Sequence, residues 1–225
     1  SVAALRDRLA SVDDMSGTDH DLVTRLDTAK ALREDLESRE QHLVDLQEKL
    51  ESLGDQYQTP ETAALAKELT VLRKKHTAAL KKASKVESSL ETALEQQVEE
   101  ACQDQTRWLS SAQEKVAWCG DVTGDKYSVE AKLATIVDLL NSVGQGEEKT
   151  GITAQKVELL KSAVPDTKKG RLEEVKVETQ QQWATFVENL QQTKDKLDSS
   201  MQQWQGYDDL YEGLSKWLKD TEVKV

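Results

Sequence analysis

Aromatic residues are scarce in this chain: one Phe, four Tyr and five Trp among 225 residues. Proline is scarcer, with two residues, and glycine stops at ten. An ordinary globular domain uses more of all three, the aromatics to thicken its core and Gly and Pro to turn its backbone. So few breakers in a chain rich in Ala, Glu, Lys, Leu and Gln leave long helices as the expected structure. The hydrophobic fraction is 37%, which supports narrow seams between helices rather than a thick core. The length admits one or two domains.

Other absences remove whole classes of function. No apolar run approaches the ~20 residues of a membrane span, so no direct membrane contact is expected of this segment. Ser1 to Ala10 carries Arg6, Asp7 and Arg8, which does not read as a secretory leader. Basic residues are outnumbered 42 to 30, for a formal charge of −12, and a nucleic acid would be repelled over most of such a surface. There are two cysteines, Cys102 and Cys119. On one helix nearly five turns separate them, about 25 Å, which is too far for a disulfide. Two free thiols fit a reducing compartment. No CxxC or neighbouring His completes a metal site. His20, His42 and His76 belong to no catalytic motif, and Asp121, Asp125 and Glu130 lack the alternate-position spacing of an EF-hand loop. The expectation is a chain without enzymatic activity, metal or cofactor.

What is present is a heptad of apolar residues. Leu65, Leu69, Leu72, His76, Ala79, Ala83, Val86 and Leu90 follow one another by alternating steps of four and three, as helix bundles require. Two further steps of four reach Leu94 and Val98, and the stripe continues through Ala101, Gln105, Trp108, Ala112 and Val116. The extra four is a stutter, which rotates the stripe about the helix. The spacing predicts one unbroken helix from 61 to about 118, serving two successive bundles. Upstream, a stripe from Leu22 to Leu53 stops at Gly54, before a loop and the cap Thr59-Pro60. A short stripe of Val2, Leu5, Leu9 and Val12 precedes it, ended by a turn at 15–19.

The order then recurs. Gly17 is matched by Gly124, Pro60 by Pro165 and His76 by Trp183, at sequence offsets of 107, 105 and 107. Trp108 of TRWLSSA returns as Trp217 of SKWLKDT, at an offset of 109. An internal period near 107 marks a repeat architecture. Three helices per copy at this period, with a Trp in the first and third helices, resemble the spectrin repeat. The fold class is therefore expected to be all-α: tandem antiparallel three-helix bundles joined by a continuous helix. Residues 1–95 would form a repeat with a shortened first helix, 96–203 a complete repeat, and 204–225 the first half of another opening helix. The resemblance implies that Trp108 and Trp183 pack in a bundle centre, with His76 and Trp217 at the equivalent core positions. The first copy departs from the pattern in carrying His76 where the family has Trp.

Two stretches break the regularity. SVGQGEEKTGI, residues 142–152, places Gly144, Gly146 and Gly151 inside a helical pattern, each costing roughly 0.5–1 kcal/mol against Ala. The stripe Val129, Leu133, Ile136, Leu140, Val143 extrapolates to Glu147, Thr150 and Ala154 and loses phase. A bend, bulge or short loop is expected at 144–151, either as a tolerated irregularity or as a partner-docking notch. Arg73, Lys74, Lys75, Lys81, Lys82 and Lys85 form a basic run. It suits an acidic partner or actin, or is neutralised by Glu34, Asp35, Glu37, Glu40 and Asp45 on the preceding helix. The shortened first helix predicts under-covered leucines at 43, 46, 50, 53, 65, 69 and 72, and weak head-to-tail association through the segment 204–225 as an alternative to a monomer.

The divergent, aromatic-poor repeats are most similar to giant cytoskeletal linkers of the nesprin and spectraplakin type. That resemblance implies an intracellular rod segment, spacing and scaffolding cytoskeletal partners. A nesprin-like parent would sit at the cytoplasmic face of the nuclear envelope and link it to actin. The alternative it implies is a docking module for an actin regulator such as a formin.

Overall fold

The computed structural model describes residues 2–57 and 59–222, with side chains from residue 7 onward. The side chains of Val2 and Leu5, and residues 223–225 of the trailing segment, lie outside the described residues. The fold is all-α: α1 (Val2–Val12), α2 (Asp19–Gln56), α3 (Pro60–Cys119), α4 (Lys126–Ala163) and α5 (Asp166–Glu222).

Helices α2, α3 and α4 start where the sequence supplies partners for the orphan N–H groups of the first turn. At α2, Thr18 and Asp21 make a reciprocal capping box: the Asp21 N–H donates to Thr18 Oγ1 (3.3 Å), and the Asp21 carboxylate accepts from the Thr18 N–H (2.8 Å). At α3, Thr59 and Thr62 exchange the same pair of bonds around Pro60. At α4, the Ser128 N–H donates to the Asp125 carboxylate at 2.8 Å. The turns before α2 and α4 each use a glycine in the left-handed region, Gly17 at φ 117° and Gly124 at φ 130°, a backbone that L side chains resist. The internal repeat therefore appears as recurring backbone geometry as well as recurring sequence.

The chain forms two compact units, one of residues 1–99 with 156–170 and the other of residues 100–155 with 171–225. In the first, α1 packs on α2, and α2 runs antiparallel to the first part of α3. The buried stripe of α2 comprises Leu22, Leu26, Ala29, Leu32, Leu36 and Leu43, and that of α3 includes Ala83, Val86, Leu90, Leu94 and Val98. Leu90, Leu94 and Val98 carry the burial through the stutter without a break in α3. The α4–α5 turn closes this unit: Lys156 pairs with Asp19 at 2.5 Å, and Lys168 bridges Glu91 (2.7 Å) and Glu95 (2.9 Å).

The second unit is a three-helix bundle. Its core draws Leu109, Ala112, Val116 and Cys119 from α3, Val129, Ile136 and Leu139 from α4, and Phe186, Leu190 and Leu197 from α5. Trp108, Trp183 and Phe186 form one aromatic cluster with ring centroids 5.6–5.8 Å apart, the tilted and edge-on spacings that aromatic quadrupoles favour.

The glycine stretch forms no bend. Helix α4 is continuous through 144–151, which corrects the expectation from sequence. The stripe keeps its phase, sharing Val129, Ile136, Val143 and Thr150 with the one extrapolated and falling one residue earlier at the alternate steps: Val129, Lys132, Ile136, Leu139, Val143, Gly146, Thr150, Thr153, Val157 and Leu160 alternate by three and four and face inward. Gly stands at 146 because the two indoles from α3 and α5 already fill the space there.

Candidate functional site

Candidate sites in this chain are surfaces on helices. Among the described residues no group of His, Cys, Asp and Glu could hold a metal ion, and no helix is long and apolar enough to cross a membrane. Neither cysteine is in a disulfide. Cys119 is fully buried, its Sγ directed at the Lys132 carbonyl (3.5 Å), and burial pushes its thiol above the usual value.

The three glycines do not share one surface. Gly144 and Gly151 lie two turns apart on α4 in open space, while Gly146 is buried on the inward face. A Cβ on Gly146 would lie 2.5 and 2.7 Å from Trp108 Cζ3 and Cη2, and closer still to Trp183 Cζ3. Gly146 therefore serves the aromatic cluster, and no notch joins the three. One turn along, Gln105 Nε2 donates to Thr150 Oγ1 (3.0 Å) and to the Thr179 carbonyl (3.2 Å), while its Oε1 finds no protein donor. Lys149 and Asp104 pair on the outside of the same layer, and this hydrogen bond holds the Asp104 carboxyl below its ordinary value.

His76 occupies a core position in the first unit. It is buried, and its Nε2–H donates to the Leu36 carbonyl at 2.8 Å. A carbonyl can only accept, so a proton sits on Nε2. Trp108 and Trp183 are half-buried and pack against the core of the second unit. Trp217 does not, being 61% exposed. The last hydrogen bond or ion pair joining α5 to another helix among the described residues is Lys126–Asp208 at 2.5 Å, and beyond it no described helix of the chain covers α5.

The basic run lies along α3. Arg73 donates to the Gln47 side chain, and Lys82 pairs with Asp13 at 3.3 Å. Lys74, Lys75, Lys81 and Lys85 are exposed. Three of the acids expected to neutralise them are engaged along α2 instead: Asp35 with Arg39 (2.9 Å), Glu37 with Arg33 (2.7 Å), and Asp45 with Gln41 (2.9 Å). These are i,i+4 partners, which share a helix face without help from a second helix.

Below the basic run, α2 and α3 splay into an open apolar groove of about 840 Å³, with Leu46, Leu50, Leu53, Leu65, Leu69 and Leu72 on its walls. Leu46, Leu53, Leu65 and Leu72 are 37–54% exposed, as the shortened first helix predicts. Leu43 departs from that expectation and is buried. Lys49, Lys67 and Lys75 rim the groove, with Glu68 as the only acid among its lining residues. A second uncovered apolar surface is the end of α5, where Tyr207, Leu210, Tyr211, Leu214, Trp217 and Leu218 are 49–76% exposed.

No protein-family model matches the chain. It is 27% identical over all 225 residues to "Muscle-specific protein 300 kDa" of Drosophila melanogaster. The chain spans 2% of the length of that relative. The likeness runs from the first helix to the last, so it covers both units and the uncovered end of α5.

Proposed function

We propose that this chain is a structural segment of a cytoskeletal rod, acting as an elongated spacer and a scaffold for protein partners. One observation carries the reading: α3, α4 and α5 each contribute residues to both compact units. Tension along such a chain is borne by helical backbone hydrogen bonds rather than by a flexible loop. Full-length similarity to a muscle-specific protein supports a cytoskeletal setting. The nesprin-like resemblance extends the proposal to a rod at the cytoplasmic face of the nuclear envelope that links it to actin. Small-angle scattering of the monomer tests the spacer. A compact chain of this length has a radius of gyration of about 17 Å, whereas α3 alone is about 90 Å long at ~1.5 Å per residue. The expected radius is well above ~17 Å, and a value at that figure defeats the reading.

A second reading, docking of an actin regulator such as a formin, is favoured by the exposed lysines of α3. Replacing Lys74, Lys75, Lys81 and Lys85 together by Gln keeps good helix formers. The substitution is expected to abolish retention of a purified formin or of actin filaments. Retention equal to that of the unaltered protein removes the basic run as a docking face.

A further inference from the structure

Several cations of this chain are held by carboxylates four residues away on their own helix: Arg33 by Glu37, Arg39 by Asp35 and Lys194 by Asp198. Lys74, Lys81 and Lys85 of α3 are not. The positions three and four away from them hold only Thr, Ser, Val, Ala and Lys, so no carboxylate shares their helix face. All three are exposed, and none is in an ion pair among the described residues. Their steps of seven and four put them on one strip of the helix, on the side away from the buried stripe of His76, Ala83, Val86 and Leu90. An offset of 107 places them on Gln181, Glu188 and Gln192 of α5, and all three of those are exposed as well. The second unit has its three helices in place and still leaves this face open. It carries no cation there: Gln192 donates to Glu188 at 3.1 Å. The lysine strip is thus a feature of the first unit, and its exposure follows from the outward direction of the helix face.

We propose that this strip docks an acidic helix of a partner protein, whose carboxylates lie on one face at steps of seven and four to meet Lys74, Lys81 and Lys85. The inference rests on the reading of the lysine face of α3 as a docking surface and adds the chemistry of the occupant. Shape supports a helix. Lys74 and Lys81 line a surface groove of about 550 Å³ that also includes Gln47 of α2, with the small side chains of Thr70, Thr77 and Ala78 between them. A channel of that kind takes a rod about 10 Å wide. Charge decides against a flat anionic bilayer. Glu40 and Glu51 lie two turns and one turn from Gln47 on the same face of α2, and both are exposed, so a flat anionic surface laid over the lysines meets them too. A single helix can present neutral or basic residues there. The net charge of −12 opposes any acidic partner at long range, so the contact depends on matched spacing at the strip rather than on total charge.

The test is an NMR titration of the isotope-labelled full chain with two helix-forming peptides of about 20 residues, long enough to hold a helix in water. Both have the same Ala, Gln and Glu content. One carries its glutamates on a single face at steps of seven and four, and the other scatters them around the helix. The patterned peptide is expected to move the backbone amides of residues 70–88 and to bind at least about tenfold more tightly than the scattered one. Charge reversal supplies the control. Lys74→Glu, Lys81→Glu and Lys85→Glu together keep good helix formers at exposed sites, so circular dichroism should report unchanged helix content. This variant is expected to lose affinity for the patterned peptide by about the same factor and to bind a peptide with lysines in the glutamate positions. Equal binding of the two glutamate peptides overturns the proposal, as do shifts spread evenly over the chain or none up to millimolar peptide. So does sedimentation of the chain with phosphatidylserine vesicles when the patterned peptide does not bind, which assigns the strip to a bilayer. Loss of formin or actin retention on replacing the lysines by Gln, together with equal binding of the two peptides, keeps the docking face and removes only the helical acidic occupant.

Discussion

Gly146 shows how one missing side chain sets a core. Two indoles meet over it, and the third wall of their cavity is bare backbone. Adding a methyl group there gains helix propensity of up to about 1 kcal/mol, but it must displace Trp108 and Trp183 together. Neither ring can move freely, because both also pack on Phe186. Overpacking of this kind costs typically about 1–3 kcal/mol, so the steric term wins. Gly144 and Gly151 have nothing within 4 Å of a built Cβ, and there propensity acts alone. Urea denaturation is therefore expected to separate three substitutions that look alike in sequence. Gly144→Ala and Gly151→Ala each stabilise by roughly 0.5–1 kcal/mol, and Gly146→Ala destabilises. Equal stabilisation by all three would mean that the indoles yield more readily than their packing indicates. Gln105 belongs to the same layer and carries the opposite lesson. It is a buried amide kept in a seam of apolar residues, and its two donor bonds tie α3 to α4 and to α5.

At the scale of helices, the parts of the fold legible in the sequence are those where apolar residues mark the inward face. In α2 and α3, leucine and valine repeat at heptad spacing, and both helices and the stutter could be read directly. The turns were legible through glycine and capping residues, because Gly17 and Gly124 hold a backbone that other residues resist. Helix α4 was harder for a physical reason. Its inward face at 146, 150 and 153 carries Gly, Thr and Thr, whose hydroxyls bond back to the carbonyls of Gly146 and Lys149. A polarity pattern misses them, and the visible residues Leu133, Leu140 and Ile152 belong to neighbouring or outward positions. The useful signal was the pair of tryptophans on α3 and α5, since large residues on two helices demand small ones on the third. Trp217 exposes the limit of repeat matching. The repeat assigns it a core position, but burial depends on which helices lie alongside, and along this part of α5 no other described helix of the chain does.

Across the whole molecule, charge acts in two opposing ways as pH falls. At pH 7 the chain carries a formal −12, and this self-repulsion weakens the compact state. Mild acidification reduces it. Against this stand five aspartates whose carboxyls the folded chain holds below their ordinary value of 3.8. Asp14, Asp21 and Asp121 lie in the turns or caps before α2 and α4, held chiefly by hydrogen bonds from Ser16, Thr18 and Thr123. Asp104 and Asp166 are held by Lys149 and Lys169. A carboxyl depressed in the folded state takes up protons more readily when unfolded. Its stabilising effect is therefore complete above the ordinary value and is lost as pH falls through the folded one. Stability is thus expected to change little or rise slightly between pH 7 and about 5, and then to fall below about 4. Thermal melts followed by circular dichroism across roughly pH 2.5–7 at fixed ionic strength measure this curve. The variants Asp21→Asn and Asp121→Asn assign it to the turns. Each should melt below the unaltered protein at about pH 6, and the gap should close as pH drops beneath 3.8, because the native carboxyl then progressively loses its charge as well. A gap that stays constant with pH would show that these turns are held by shape rather than by ionised carboxylates.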